Sequence, residues 1–231
     1  MYLRIAVSRT LLLLFFLLLL SCTGEAPEIT RTFWQLDIHY SPEEDTQNER
    51  LTVFAQVRDR DGHSDIDRWT LHMPEKELFW RRDSEEWIES TEGDEHWIGW
   101  NGISAPADSP LPRGEYILEI EDKAGESTES SFNISHRIEG LTEGPLDMEE
   151  FPHLSFSEGG AYIRSPYSVH TIAVSDGEGK TLEVFEHESS RINEEELSRQ
   201  RSIGGVYITL GGFDESGGFG VKSGPYRIPE E

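Results

Sequence analysis

Cysteine is nearly absent from this 231-residue chain, and Cys22 is its only representative. One thiol rules out an intrachain disulfide, and it also excludes cysteine metal clusters and paired-thiol redox chemistry. Cations are scarce as well: 20 Lys and Arg stand against 45 Asp and Glu, a formal net charge of -25. A surface so acidic repels nucleic acid and anionic headgroups, which excludes a nucleic-acid partner. It keeps the protein soluble, and it favours cations or a basic partner. No apolar run approaches the roughly 20 residues that a spanning helix needs. The longest, Leu11 to Leu20, has ten. No long segment shows the 3.6-residue period of a helix, and no fixed-period repeat is present.

Catalytic motifs are missing too. The eight histidines stand singly, with no His-Glu-x-x-His and no pair at i, i+4. Gly102-Ile103-Ser104-Ala105-Pro106 lacks the second glycine of a nucleophile elbow. In the glycine-rich stretch from Gly211 to Ser223, Val221 precedes Lys222 where a phosphate loop needs glycine. That stretch reads as a flexible hairpin loop. With 45 acids, neighbouring carboxylates arise by chance and do not make a glycosidase pair. The expectation is a protein that is not an enzyme and carries no cofactor, calcium apart.

What is present begins at the N-terminus. Arg4 and Arg9 precede the leucine and phenylalanine run, and Ser21-Cys22 follows it. A positive start, a short apolar stretch and a small residue before the cut form a secretory signal. Leu19-Leu20-Ser21-Cys22 resembles the lipobox of bacterial lipoproteins. The resemblance implies a signal peptide over 1–21 and a lipidated tether over 22–31. It implies acylation, palmitate included, at Cys22, and a place on a membrane of the bacterial cell envelope, periplasmic or surface-facing. Two or more acyl chains hold a protein stably where one does not. An uncleaved anchor and ordinary secretion are the alternative readings.

From Thr32 onward the chain alternates with period two. Trp34, Leu36, Ile38 and Tyr40 alternate with Gln35, Asp37 and His39, and Leu51, Val53, Ala55 and Val57 repeat the pattern. Short strands recur, separated by turn residues, so the fold class reads as all-β, a sandwich. Leu78 to Trp80 and Trp87 to Ile88, flanking Arg82-Asp83-Ser84-Glu85, predict a hairpin. The segment Val57 to Ile66, with its Asp59-Arg60-Asp61-Gly62 turn, and Pro112-Arg113-Gly114-Glu115-Tyr116 through Asp122-Lys123-Ala124-Gly125 resemble Ig-like and fibronectin-III-like modules. That implies an Ig-like domain over 32–138. Residues 139–150 read as a linker, and 151–231 as a second small β domain with one helix capped by Asn193.

Two clusters are candidate sites. Asp59, Asp61, Asp65 and Asp67 place four carboxylates within nine residues, enough to supply part of a calcium site. The plainer reading has them bonding their own turn. All six tryptophans lie between 34 and 100. Trp34 and Trp69 fall on inward phases. Trp80, Trp87, Trp97 and Trp100 stand beside loops and could stack sugar rings, although packing is the first reading. The chain thus reads as a membrane-anchored lipoprotein acting as a non-catalytic protein-interaction or scaffolding module, with a glycan or peptidoglycan binder as the alternative.

Overall fold

The structure, a computed structural model, describes residues 24–106, 109–134, 146–214 and 218–230. The expected signal peptide, Cys22 and the expected linker up to residue 145 lie outside the described residues. Among those described, no helix is long and apolar enough to cross a membrane.

The fold is all-β and sandwich-like, built of antiparallel pairs apart from the parallel pairing of β1 with β15. Its first half holds β1 (Glu28–Ser41), β2 (Thr46–Arg58), β3 (Ile66–Met73), β4 (Leu78–Asp83), β5 (Ile88–Glu92), β6 (Glu95–Ile103), β7 (Gly114–Asp122) and β8 (Ser127–Ile134). Then come β9 (His153–Ser157), β10 (Gly160–Arg164), β11 (His170–Ser175), β12 (Thr181–His187) and β13 (Arg191–Asn193). The helix α1 (Glu194–Ser202), β14 (Tyr207–Asp214) and β15 (Phe219–Arg227) complete the chain. One sheet runs β12-β11-β14-β15-β1-β2-β6-β5, a second β4-β3-β7-β8 and a third β13-β10-β9.

The chain divides into two compact units. Unit 1 takes residues up to Thr32, Phe54–Gly99 and Glu115–Phe132. Unit 2 takes Phe33–Val53, Trp100–Gly114 and Asn133–Glu231. These units are discontinuous, whereas the sequence reading drew its boundary between 138 and 151. The cause is strand length: β1 and β2 have 14 and 13 residues, more than the 3–10 usual for a strand. Each contributes its two ends to different units.

Unit 1 buries the inward phase of its strands. Ala55, Val57, Ile66, Trp69, Leu71, Ile98, Tyr116, Leu118 and Ile120 are fully buried. β3 sets the register: Leu71 sits opposite Leu118 on β7 and Trp80 on β4. Aromatic rings then stack along this inner face, Trp80 on Tyr116 at 6.2 Å and Tyr116 on Phe132 at 5.6 Å. Such offset stacking adds to what area burial alone contributes.

Unit 2 has its own core, in which Leu154, Ala161 and Ile163 pack with Ile172, Val174, Ile192, Leu197, Ile208, Leu210 and Ile228. The helix starts where the sequence placed it. Asn193 Oδ1 accepts from the Glu196 amide, and the Glu196 carboxylate accepts from the Asn193 amide, a capping box. Glu49, buried on β2, takes a bidentate ion pair from Arg113 at 2.6 and 3.0 Å. The same carboxylate accepts the Leu111 amide at 2.8 Å. This clamp fastens the Leu111–Arg113 segment to the strand and gives both oxygens of the buried anion a donor.

Two local expectations are corrected. Residues 78–88 do not form a hairpin, because β4 pairs with β3 while β5 pairs with β6 in a different sheet. The charged turn is therefore a crossing between sheets. The glycine-rich stretch is a hairpin, yet most of it is strand, with Gly211 to Asp214 in β14 and Gly220 to Ser223 in β15.

Arg113→Met strands the buried Glu49 charge and costs about 3–5 kcal/mol. Urea denaturation checks this. The double variant Glu49→Gln/Arg113→Met retains an acceptor for Leu111 and loses less than the single one. Equal losses contradict the clamp.

Candidate functional site: a polar groove in unit 2

Alternation in β1 sends Leu36, Ile38 and Tyr40 into the core and Gln35, Asp37 and His39 to the opposite face. β15 lies parallel beside it, with Asp37 opposite Gly220, Ile38 opposite Val221 and His39 opposite Lys222. Ile38 and Val221 are fully buried. Their neighbours Asp37, His39 and Lys222 therefore share the other face. There they line a groove of about 430 Å³ with Gln35, Arg50, Thr52, Asn101 and Gly102.

The floor of the groove is a buried carboxylate. Asp37 is 2 % exposed. Lys222 Nζ donates to its Oδ2 at 2.7 Å, and Gln35 Nε2 donates to its Oδ1 at 2.7 Å. Gly220 makes this possible. A Cβ at that position would lie 1.9 Å from Asp37 Oδ1 and 2.7 Å from Gln35 Nε2. The carboxylate occupies the space that any other side chain would need.

His39 senses the balance of charge. Burial pushes its pKa below 6.5, and the Arg50 and Lys222 cations push it the same way, against a smaller opposing effect of Asp37. Two cations outweigh one anion around a neutral imidazole. Neither of two other cavities shares this balance. One of about 650 Å³ in unit 1 is lined by Glu25, Glu28, Asp59 and Asp94 with Arg58, Arg60 and His63. The other, beside α1 in unit 2, has Glu158, Glu194 and Glu230 against Arg201.

The residues singled out in the sequence fall elsewhere. In the aspartate turn, Asp59 Oδ1 accepts the Asp61 amide at 2.9 Å, which is the turn-bonding role. Asp61 Oδ2 accepts the Glu25 amide at 3.1 Å. The Asp65 carbonyl accepts the Lys123 amide, and Asp67 lies 3.8 Å from Arg68. These carboxylates are spread over a turn and a strand. Among the described residues no group of three or more His, Cys, Asp or Glu side chains could hold a metal ion.

Trp69 is fully buried, and Trp34, Trp80, Trp87, Trp97 and Trp100 are half-buried. Trp80 belongs to the interior stack on Tyr116. Trp97 Nε1 donates to Glu95 Oε2 at 3.3 Å. The Trp87 indole N–H is buried with no acceptor among the described residues. His63 and His96 stack at 3.9 Å, with Glu89 3.6 Å from His96. His96 and His170 are buried, and burial is the largest cause of the lowered pKa of each.

Sequence reading missed the groove altogether. The signal was there in two parts: polar residues at three successive outward positions of β1, and a glycine two residues before a lone lysine. No family model matches the chain, and no curated protein matches its sequence.

Two outcomes follow from this geometry. Gly220→Ala forces Asp37 aside and lowers stability by about 1–3 kcal/mol, read from the urea midpoint. For the histidines, the folded pKa values of His39, His96 and His170 lie below the unfolded value of 6.5. The unfolded chain then binds more protons, so this contribution is complete above pH 6.5 and is lost as pH falls through the folded values. Comparing wild type with a triple His→Gln variant at pH 7.5 and 5.5 isolates it. Identical slopes for the two proteins contradict the assignment.

Proposed function

We propose that this protein is an envelope lipoprotein, anchored through Cys22, that serves as a non-catalytic binding module for a partner protein and presents the unit 2 groove as its recognition site. The observation that carries this reading is the reversal of charge. The chain has more than twice as many acids as bases, yet the groove is lined by two bases, Arg50 and Lys222, and by one acid, Asp37. Charge complementarity of this kind fixes register and excludes wrong partners.

Three further features support it. Each oxygen of Asp37 already accepts a hydrogen bond, from Lys222 and Gln35, which suits a fixed recognition surface better than proton transfer. Trp80 and Trp97 are engaged in packing and hydrogen bonding, which favours a protein partner over a tryptophan platform for glycans. The residues after the lipobox are held against unit 1: Glu25 bonds Asp61 and Arg60, and Pro27 is buried. Only Thr23 then separates Cys22 from the described residues.

Cys22→Ser should move the protein from the membrane fraction to the soluble fraction, and mass spectrometry of the wild type should find acyl chains on Cys22. Unmodified cysteine in a membrane-bound protein contradicts the anchor. A photo-reactive residue replacing Thr52 in the groove should capture a partner in intact cells, and Arg50→Glu should abolish the capture. Undiminished capture with Arg50→Glu contradicts the recognition site.

A further inference from the structure

We propose that Asp61 and Asp122 of unit 1 bind a hard divalent cation, calcium or magnesium, beside Gly24. The site is independent of the groove in unit 2, and it shares Asp61 alone with the aspartate cluster visible in the sequence.

Asp122 is 1 % exposed, and its two oxygens are served unequally. Oδ1 accepts the Glu126 amide at 2.8 Å, inside the turn that follows β7. Oδ2 is buried and has no hydrogen-bond partner. A buried carboxylate oxygen without a donor is costly, and a water or an ion normally accounts for it. The same oxygen faces Asp61. A Cβ at Gly24 would lie 3.4 Å from Asp122 Oδ2, 3.4 Å from the Ala124 Cβ and 3.6 Å from Asp61 Oδ2. The two carboxylates therefore look into one space, with room for a single atom at ordinary contact distance. Glycine at 24 leaves that space open.

No cation of the protein fills it. The bases next to these aspartates in sequence are engaged elsewhere: Arg60 pairs with Glu25, and Lys123 Nζ donates to the Ser64 carbonyl at 2.7 Å. Among the described residues neither Asp61 nor Asp122 has an ion pair. Two carboxylates turned toward one space repel, and a cation between them removes that repulsion. Asp61 Oδ2 also accepts the Glu25 amide at 3.1 Å, and its carboxylate keeps further lone pairs for a metal. Calcium and magnesium both take carboxylate oxygens, and magnesium commonly uses one or two of them and keeps several waters. A pair of aspartates is thus enough, although it falls short of three ligating side chains. The bound ion would join the turns at 59–62 and 122–125 to residues 24–25, where the chain leads back toward Cys22.

The test uses the full chain in detergent micelles, followed by amide NMR. Calcium, magnesium and sodium chlorides are titrated in turn at constant ionic strength. Calcium or magnesium should give saturable shifts at residues 24–25, 61–62 and 122–126, with a dissociation constant on the order of 0.1–1 mM. Sodium should give none, and the tighter divalent ion identifies the occupant. Gly24→Ala is the sharpest variant, because its methyl meets only ordinary contacts, which spares the fold, yet fills the space. It should weaken binding about tenfold or more. Asp122→Asn, which keeps an acceptor for the Glu126 amide, should do the same. Glu75→Gln, at the far end of β3 from Asp122, should leave binding unchanged. An equal loss with Glu75→Gln, or the same shifts with sodium, shows diffuse attraction of counterions to an acidic chain and overturns the site. Undiminished binding in Gly24→Ala, or no shift with either divalent ion, overturns it too and leaves water as the partner of Asp122 Oδ2.

Discussion

A buried carboxylate held beneath a glycine is the constraint around which unit 2 is arranged. Asp37 is kept from water by β15, which joins β1 in parallel although 185 residues separate Asp37 from Lys222. Burying an anion costs several kcal/mol unless a cation and hydrogen bonds compensate it. Lys222 and Gln35 do so, and Gly220 vacates the space that they need. The seam closes only in one register, because a slip of one residue would put Val221 over the carboxylate and Lys222 into the core. The register in turn brings His39 and Lys222 to the same level and opens the groove beside them.

The Glu49–Arg113 clamp repeats this logic on β2. There too one buried acid is met by a single arginine and a backbone amide. In a chain rich in acids, almost all of the described carboxylates remain outside, where water and salt screen their repulsion. Among the described residues three are buried, and two of them tie together segments far apart in sequence: Asp37 to Lys222, and Glu49 to Leu111 and Arg113, whereas Asp122 accepts the Glu126 amide within its own turn. These two joints rest on matched charges, while the layers themselves rest on apolar packing.

The all-β class was legible because the alternation of Leu36, Ile38 and Tyr40, or of Leu51 to Val57, depends on local periodicity alone. The Asn193 cap was legible for the same reason, since its partner Glu196 is three residues away. The crossing at residues 83–88 was not, because a tight turn between two apolar runs looks the same whether the flanking strands pair with each other or with others. The groove was hidden by distance. Gly220 reads as flexibility in sequence, and only the parallel pairing with β1 reveals it as space for Asp37. The tryptophans misdirected attention in the opposite way: they are conspicuous by composition, yet Trp69 and Trp80 spend their surface inside unit 1.

The measurement that tests the seam most directly is a double-mutant cycle in urea with Asp37→Asn, Lys222→Met and the pair together. The account predicts that Lys222→Met alone destabilises more than the double variant, with a coupling above about 1 kcal/mol. Additive losses would show that Asp37 and Lys222 do not depend on each other, and the groove would then have another origin.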